Sequence, residues 1–116
     1  VFNFEKLEVW QKSVVYAGAV YRATKAFPKE EQFGLTNQIR RAANSISSNI
    51  AEGSARPPAD YARFLGYAAG SLFEVVTQVT IARNETFLSE EIFQRLYVGA
   101  EEIGRMLSGL RRSLGE

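Results

Sequence analysis

Apolar residues recur at alternating spacings of three and four along almost the whole chain, and that period constrains the fold more than any other feature. Leu7, Trp10, Val14, Ala17 and Tyr21 fall on one helical stripe, and Leu35, Ile39, Ala42, Ile46 and Ile50 on a second. Tyr61, Leu65, Ala68, Leu72, Val75, Val79 and Ala82 form a third; Ile92, Leu96, Gly99, Ile103, Met106 and Leu110 form a fourth. Helix-stopping residues separate the stripes: Pro28 and Gly34, then Gly53 with Arg56-Pro57-Pro58, then Asn84-Glu85-Thr86. Ser89 is placed to cap the fourth helix, although Ile92 at its third position leaves the capping box incomplete. No segment alternates as a strand would. These features predict helices at about 4–26, 35–54, 58–84 and 89–114 in a single domain over 1–116. The fold class is all-α, an antiparallel up-down-up-down four-helix bundle with short connections.

Composition removes most chemistry. The chain of 116 residues has no Cys and no His. It therefore offers no disulfide, thiol nucleophile, imidazole ligand or Ser-His-Asp triad. No phosphate-binding loop and no metal-ligand set is visible, so neither a cofactor nor an enzymatic activity is expected. No run approaches the roughly 20 apolar residues of a membrane span, and Val1 to Lys6 carries no signal pattern, so a cytoplasmic protein without a membrane partner is expected. Fourteen Lys and Arg against thirteen Asp and Glu leave a net charge of +1. Binding of RNA or DNA would thus need local clustering of cations. The candidates are Lys6, Lys12, Arg22 and Lys25 on the first helix and Arg105, Arg111 and Arg112 near the end of the fourth.

Two faces do not look like ordinary bundle surface. On the second helix Gln38, Arg41, Ser45, Asn49 and Glu52 run as a polar stripe among many small residues, where a plain solvated face would carry long charged side chains. On the third, Gly66 and Gly70 lie in register beside Ser71 and Glu74, although each glycine costs about 1 kcal/mol in a helix. A close helix crossing would explain them. Glu52 and Glu74 suggest a network with Arg40 or Arg41. No di-metal site is expected, because such bundles use Glu-x-x-His motifs and the chain has no His. Gln38, Arg40, Arg41, Ser45, Asn49, Glu52, Gly70, Ser71 and Glu74 are therefore the candidates for an oligomer interface or polar network.

The run Gln38-Ile39-Arg40-Arg41-Ala42-Ala43, with Ser45-Ile46 and Asn49-Ile50-Ala51-Glu52-Gly53, resembles the proteins encoded in intervening sequences of bacterial 23S rRNA genes. Phe4, Leu7, Trp10, Phe27-Pro28, Phe33-Gly34-Leu35, Phe64-Leu65, Ala68, Gly70-Ser71 and Glu74 extend the resemblance over nearly the whole chain. It implies a four-helix bundle that assembles as a homopentamer, a ring with a heterologous, closing interface. A distant branch, lacking the Asn49–Gly53 run, comprises the accessory proteins of diversity-generating retroelements, which partner a reverse transcriptase and bind nucleic acid. Two functions are in view. One is a nucleic-acid-associated oligomeric accessory protein. The other is a scaffold for an enzyme such as a reverse transcriptase, using exposed aromatics among Phe2, Phe33, Phe87 and Tyr97. A pocket of Glu52, Glu74, Arg41 and Tyr21 would be the starting point for any catalysis.

Overall fold

Helix ends stand where the backbone chemistry stops a helix. In a computed structural model that describes residues 1–115, α1 spans Glu8–Thr24, α2 Leu35–Ser54, α3 Pro58–Asn84 and α4 Glu90–Ser113. Residue 116, the last of the expected domain, lies outside the described residues. The first helix is shorter than the expected 4–26. Leu7 is extended (φ −73°, ψ 123°), and the residues before it form a separate 3-10 turn, Asn3–Lys6. That turn is tied back by its own polar groups. The Phe2 N–H donates to Glu5 Oε2 at 2.9 Å, and Gln11 Nε2 donates to the Glu5 carbonyl at 2.6 Å. The Phe4 ring meets Trp10 edge-on at 5.2 Å.

Pro58 occupies the first turn of α3, where its missing N–H loses no helical bond. At the far end the Phe87 N–H reaches back to the Ala82 carbonyl (2.8 Å) and the Thr86 N–H to the Arg83 carbonyl (3.0 Å). This Schellman closure holds Thr86 at φ +64°, a left-handed position that a β-branched residue rarely adopts. Ser89 Oγ accepts the Ile92 N–H at 3.1 Å and caps α4. Each helix packs on its neighbours in sequence and α1 closes on α4, giving an up-down-up-down bundle of 43 × 22 × 21 Å.

The core is built from Ile39, Ala43, Ile46 and Ile50 of α2, Leu65, Ala68, Leu72, Val75 and Val79 of α3, and partners on the outer helices. Two expected stripes shift. On α1 the buried face is Val9, Ser13, Tyr16, Val20 and Thr24; Val14 and Tyr21 are exposed, and Leu7, Trp10 and Ala17 sit at the border. Ser13 and Thr24 go inside because their hydroxyls donate to the carbonyls of Val9 (2.7 Å) and Val20 (2.9 Å), which removes the penalty of burying them. On α4 the buried face is Phe93, Leu96, Ala100, Ile103 and Leu107, while Ile92 is exposed and Met106 and Leu110 are half-buried. In length and composition α3 is apolar enough to cross a membrane, against the expectation from the sequence. Leu65, Leu72, Val75 and Val79 of this helix are spent on the bundle core, whereas Phe73 and Ile81 face outward.

Candidate functional site

The α2 stripe and the α3 patch meet. Ser71 Oγ donates to Ser45 Oγ at 2.9 Å, and Asn49 Nδ2 donates to both the Ser45 carbonyl (2.8 Å) and Ser45 Oγ (2.9 Å). Above this floor lies a groove of about 410 Å³ lined by Asn37, Gln38, Arg41, Ser45, Ser71, Glu74 and Gln78. The structure thus brings together Gln38, Arg41, Ser45, Ser71 and Glu74, with Asn49 beneath. The sequence reading missed Asn37 and Gln78, because a lone amide on a helix carries no motif. Gln78 Oε1 is buried without a hydrogen-bond partner.

The expected arginine–glutamate network does not form among the described residues. Arg40 turns toward α1: its Nε donates to Thr24 Oγ1 (2.8 Å), its Nη2 to the Tyr21 carbonyl (3.3 Å), and its guanidinium lies 4.8 Å from the Tyr21 ring centre. Asn44 Nδ2 donates to the Tyr21 hydroxyl at 2.9 Å. Glu52, in the last turn of α2, pairs at 3.6 Å with Arg56, which lies just past the helix end in the turn to α3. Glu52 and Tyr21 are therefore not part of one pocket with Arg41 and Glu74. Within one chain the two α3 glycines do not make a crossing. Gly70 has no atom within 4 Å of where a Cβ would stand, and Gly66 makes room for Arg111, whose Nη1 would lie 3.6 Å from that Cβ. Neither marks a helix crossing inside the bundle. The close crossing is at Gly53, where a Cβ would come within 2.6 Å of Phe64 Cβ.

The candidate cations do not form one patch. Arg22 and Lys25 lie at the end of α1, where Arg22 shares a groove with Arg95. Lys6, Lys12, Arg105, Arg111 and Arg112 lie in the opposite half, and Lys12 is matched there by Glu102 at 3.2 Å. Sequence reading missed Arg56 and Arg63, which join this second group at the start of α3. Arg56 lies over Phe64 (4.5 Å), and Arg63 over Phe64 (5.1 Å) and Tyr67 (5.6 Å). Asp60 accepts from Arg63 at 2.8 Å; that bond, with the charges of Arg63 and Arg56, holds its carboxyl below the usual aspartate value. Arg105, Arg111 and Arg112 make no ion pair among the described residues.

Apolar side chains also face outward. Phe73 is 65 % exposed, and it lines a groove of about 340 Å³ between α3 and α4 with Val76, Tyr97 and Ala100. Val98 and Val15 are exposed on α4 and α1. Of the four aromatics singled out from sequence, Phe2, Phe33 and Tyr97 are exposed, whereas Phe87 packs on Phe27 with ring centres 5.6 Å apart.

A family model described as 23S rRNA-intervening sequence protein matches residues 5–109. The chain belongs to that family. The fold of this intervening-sequence protein is similar to a solved structure from Bacteroides thetaiotaomicron VPI-5482, a protein of unknown function from the S23 ribosomal protein family. The TM-score is 0.79 and the identity 21 %, over 89 % of this chain and 97 % of that one. At such identity the likeness is one of fold. No curated protein matches the chain. Among the described residues of the intervening-sequence protein, no three Asp or Glu side chains are grouped to hold a metal ion.

Proposed function

We propose that this intervening-sequence protein is a non-catalytic module that works as a homo-oligomer, in the form of a pentamer. The observation that carries the reading is the apolar groove between α3 and α4. Phe73 stands in it largely exposed, Tyr97 leans on Phe93 with ring centres 5.8 Å apart yet keeps an open face, and a monomer gains nothing from keeping such side chains in water. The family resemblance supports the number five, and a closed ring would satisfy every copy of a heterologous interface. Multi-angle light scattering of the purified chain at micromolar concentration tests this. Five copies of 13.0 kDa give about 65 kDa. Phe73→Glu is expected to yield monomers with unchanged helicity; a monomeric wild type would overturn the reading.

Nucleic acid is the ligand class this assembly would serve. Arg105, Arg111 and Arg112 have no acidic partner among the described residues, and Arg63 and Tyr67 stand nearby at the start of α3. A ring repeats this arginine cluster in every copy, so that placement rather than total charge would draw phosphates. Titration of single-stranded RNA or DNA against salt is the check. Arg111→Gln with Arg112→Gln should weaken binding uniformly across sequences and flatten the salt dependence. Binding absent at low salt would leave the alternative, a scaffold for an enzyme partner such as a reverse transcriptase, which co-purification from the host would reveal.

A further inference from the structure

We propose that the groove between α2 and α3 is a binding site for a free α-amino acid. Its two walls are chemically opposite. The α2 wall offers donors: the Arg41 guanidinium, the Gln38 amide and the Ser45 hydroxyl. Ser45 Oγ already accepts two hydrogen bonds, from Ser71 and Asn49, so its own proton is left to donate. The α3 wall offers an acceptor, the Glu74 carboxylate, with the Gln78 side chain beside it. The Ser45–Ser71 bond fixes the antiparallel register and sets Arg41 level with the stretch from Glu74 to Gln78.

That arrangement selects against simpler ligands. Glu74 repels a bare anion, and Arg41 repels a metal cation. A nucleobase would want an aromatic surface to stack on, and the lining holds none. A zwitterion meets both walls at once. Its carboxylate takes the planar Arg41 fork and the Ser45 hydroxyl, and its ammonium pairs with the Glu74 carboxylate. The site does not depend on the assembly proposed above, because it is complete within one chain.

The test is a ¹H–¹⁵N correlation titration of the full chain with glycine, N-acetylglycine and glycinamide. Glycine should give saturable shifts confined to residues 37–45 and 71–78, with a Kd on the order of 1 mM, as suits charged pairs in an open groove. N-acetylglycine, which lacks the ammonium, and glycinamide, which lacks the carboxylate, should each bind about tenfold more weakly or worse. Arg41→Gln and Glu74→Gln should do the same to glycine while leaving helicity unchanged, since both side chains are exposed. Light scattering on the same samples separates loss of the ligand from a change of assembly. The proposal is overturned if glycine produces no saturable shift up to about 50 mM, or if either single-charge analogue binds as well as glycine.

Discussion

The α2–α3 seam and the α1–α4 seam join helices of the same bundle by different means. Between α2 and α3, small side chains bring the backbones together: Ala42, Ala43 and Gly53 lie on one side and Ala62, Ala68 and Ser71 on the other, all buried, and at Gly53 the Phe64 Cβ leaves no room for one more carbon. Between α1 and α4 the helices stand apart over a groove of about 810 Å³, and one aromatic side chain bridges them. The Tyr16 ring lies over Gly99, and its hydroxyl donates to the Leu96 carbonyl at 2.8 Å. A seam of small residues has nowhere to relax. A seam closed by one ring beside a groove has space to move into.

The largest expected effect tests that difference directly. Ile46 is fully buried in the α2–α3 half, and Ile46→Ala should cost 2–5 kcal/mol, roughly, and lower the melting temperature by about 10 °C or more. Leu96→Ala, beside the α1–α4 groove, removes a side chain of similar volume but should fall toward the low end of that range, because its neighbours can settle into the gap. Equal losses by thermal and urea melts would mean that the seams are equally stiff.

The helices, their order and the bundle were legible from period and punctuation, because Pro58, Ser89 and Gly34 act locally on the backbone. The α2 and α3 core faces were legible for the same reason, since Ile, Leu, Val and Ala dominate them. The α1 face was not. Val14 and Tyr21 look more apolar than Ser13 and Thr24, and only the hydroxyl bonds to the preceding turn make the latter pair suitable for the interior. The candidate site was half legible. Arg41, Ser45, Ser71 and Glu74 stood out by residue type, but pairing of charges depends on which way long side chains turn. Arg40 turns to Tyr21 and Thr24, and Glu52 to Arg56, on geometry that no spacing rule contains.

Glycine substitutions sharpen the comparison at a smaller scale. At Gly53 the atom in the way is the Cβ of Phe64, which is fixed to its backbone, so Gly53→Ala should destabilise by about 1–3 kcal/mol of overpacking even though alanine favours helix. At Gly99 the obstacle is the Tyr16 ring, 3.0 Å away, and a ring can tilt toward the groove. Gly99→Ala should therefore change stability by less than about 1 kcal/mol. If Gly53→Ala were neutral in a denaturant titration, the α2–α3 seam would not be the rigid one.

Tyr16→Phe removes the polar half of the bridge and leaves the ring. The loss should be about 1 kcal/mol, the ordinary net value of one hydrogen bond. Its pH dependence has a definite sign. Burial pushes the Tyr16 hydroxyl well above the ordinary tyrosine value, so the folded state keeps the proton that the unfolded chain releases near pH 10. The resulting stability is complete below pH 10 and declines as pH rises beyond it. Burial raises Tyr61 in the same direction. Wild-type stability should therefore fall more steeply between pH 10 and 11 than that of Tyr16→Phe; parallel curves would assign the bridge to the ring alone.

The smallest effect expected is at the ion pair that crosses the same seam. Lys12 Nζ lies 3.2 Å from Glu102 Oε1, with both side chains 39–50 % exposed. Water screens such a pair, and holding two long side chains in place offsets much of the attraction, so a double-mutant cycle with Lys12→Met and Glu102→Gln should give a coupling below about 1 kcal/mol. Raising the salt to about 1 M should remove most of it. A coupling above that limit, or one that persists at high salt, would show that charge rather than the Tyr16 ring holds α1 against α4. The groove would then be an electrostatically clamped gap instead of space into which the ring can yield.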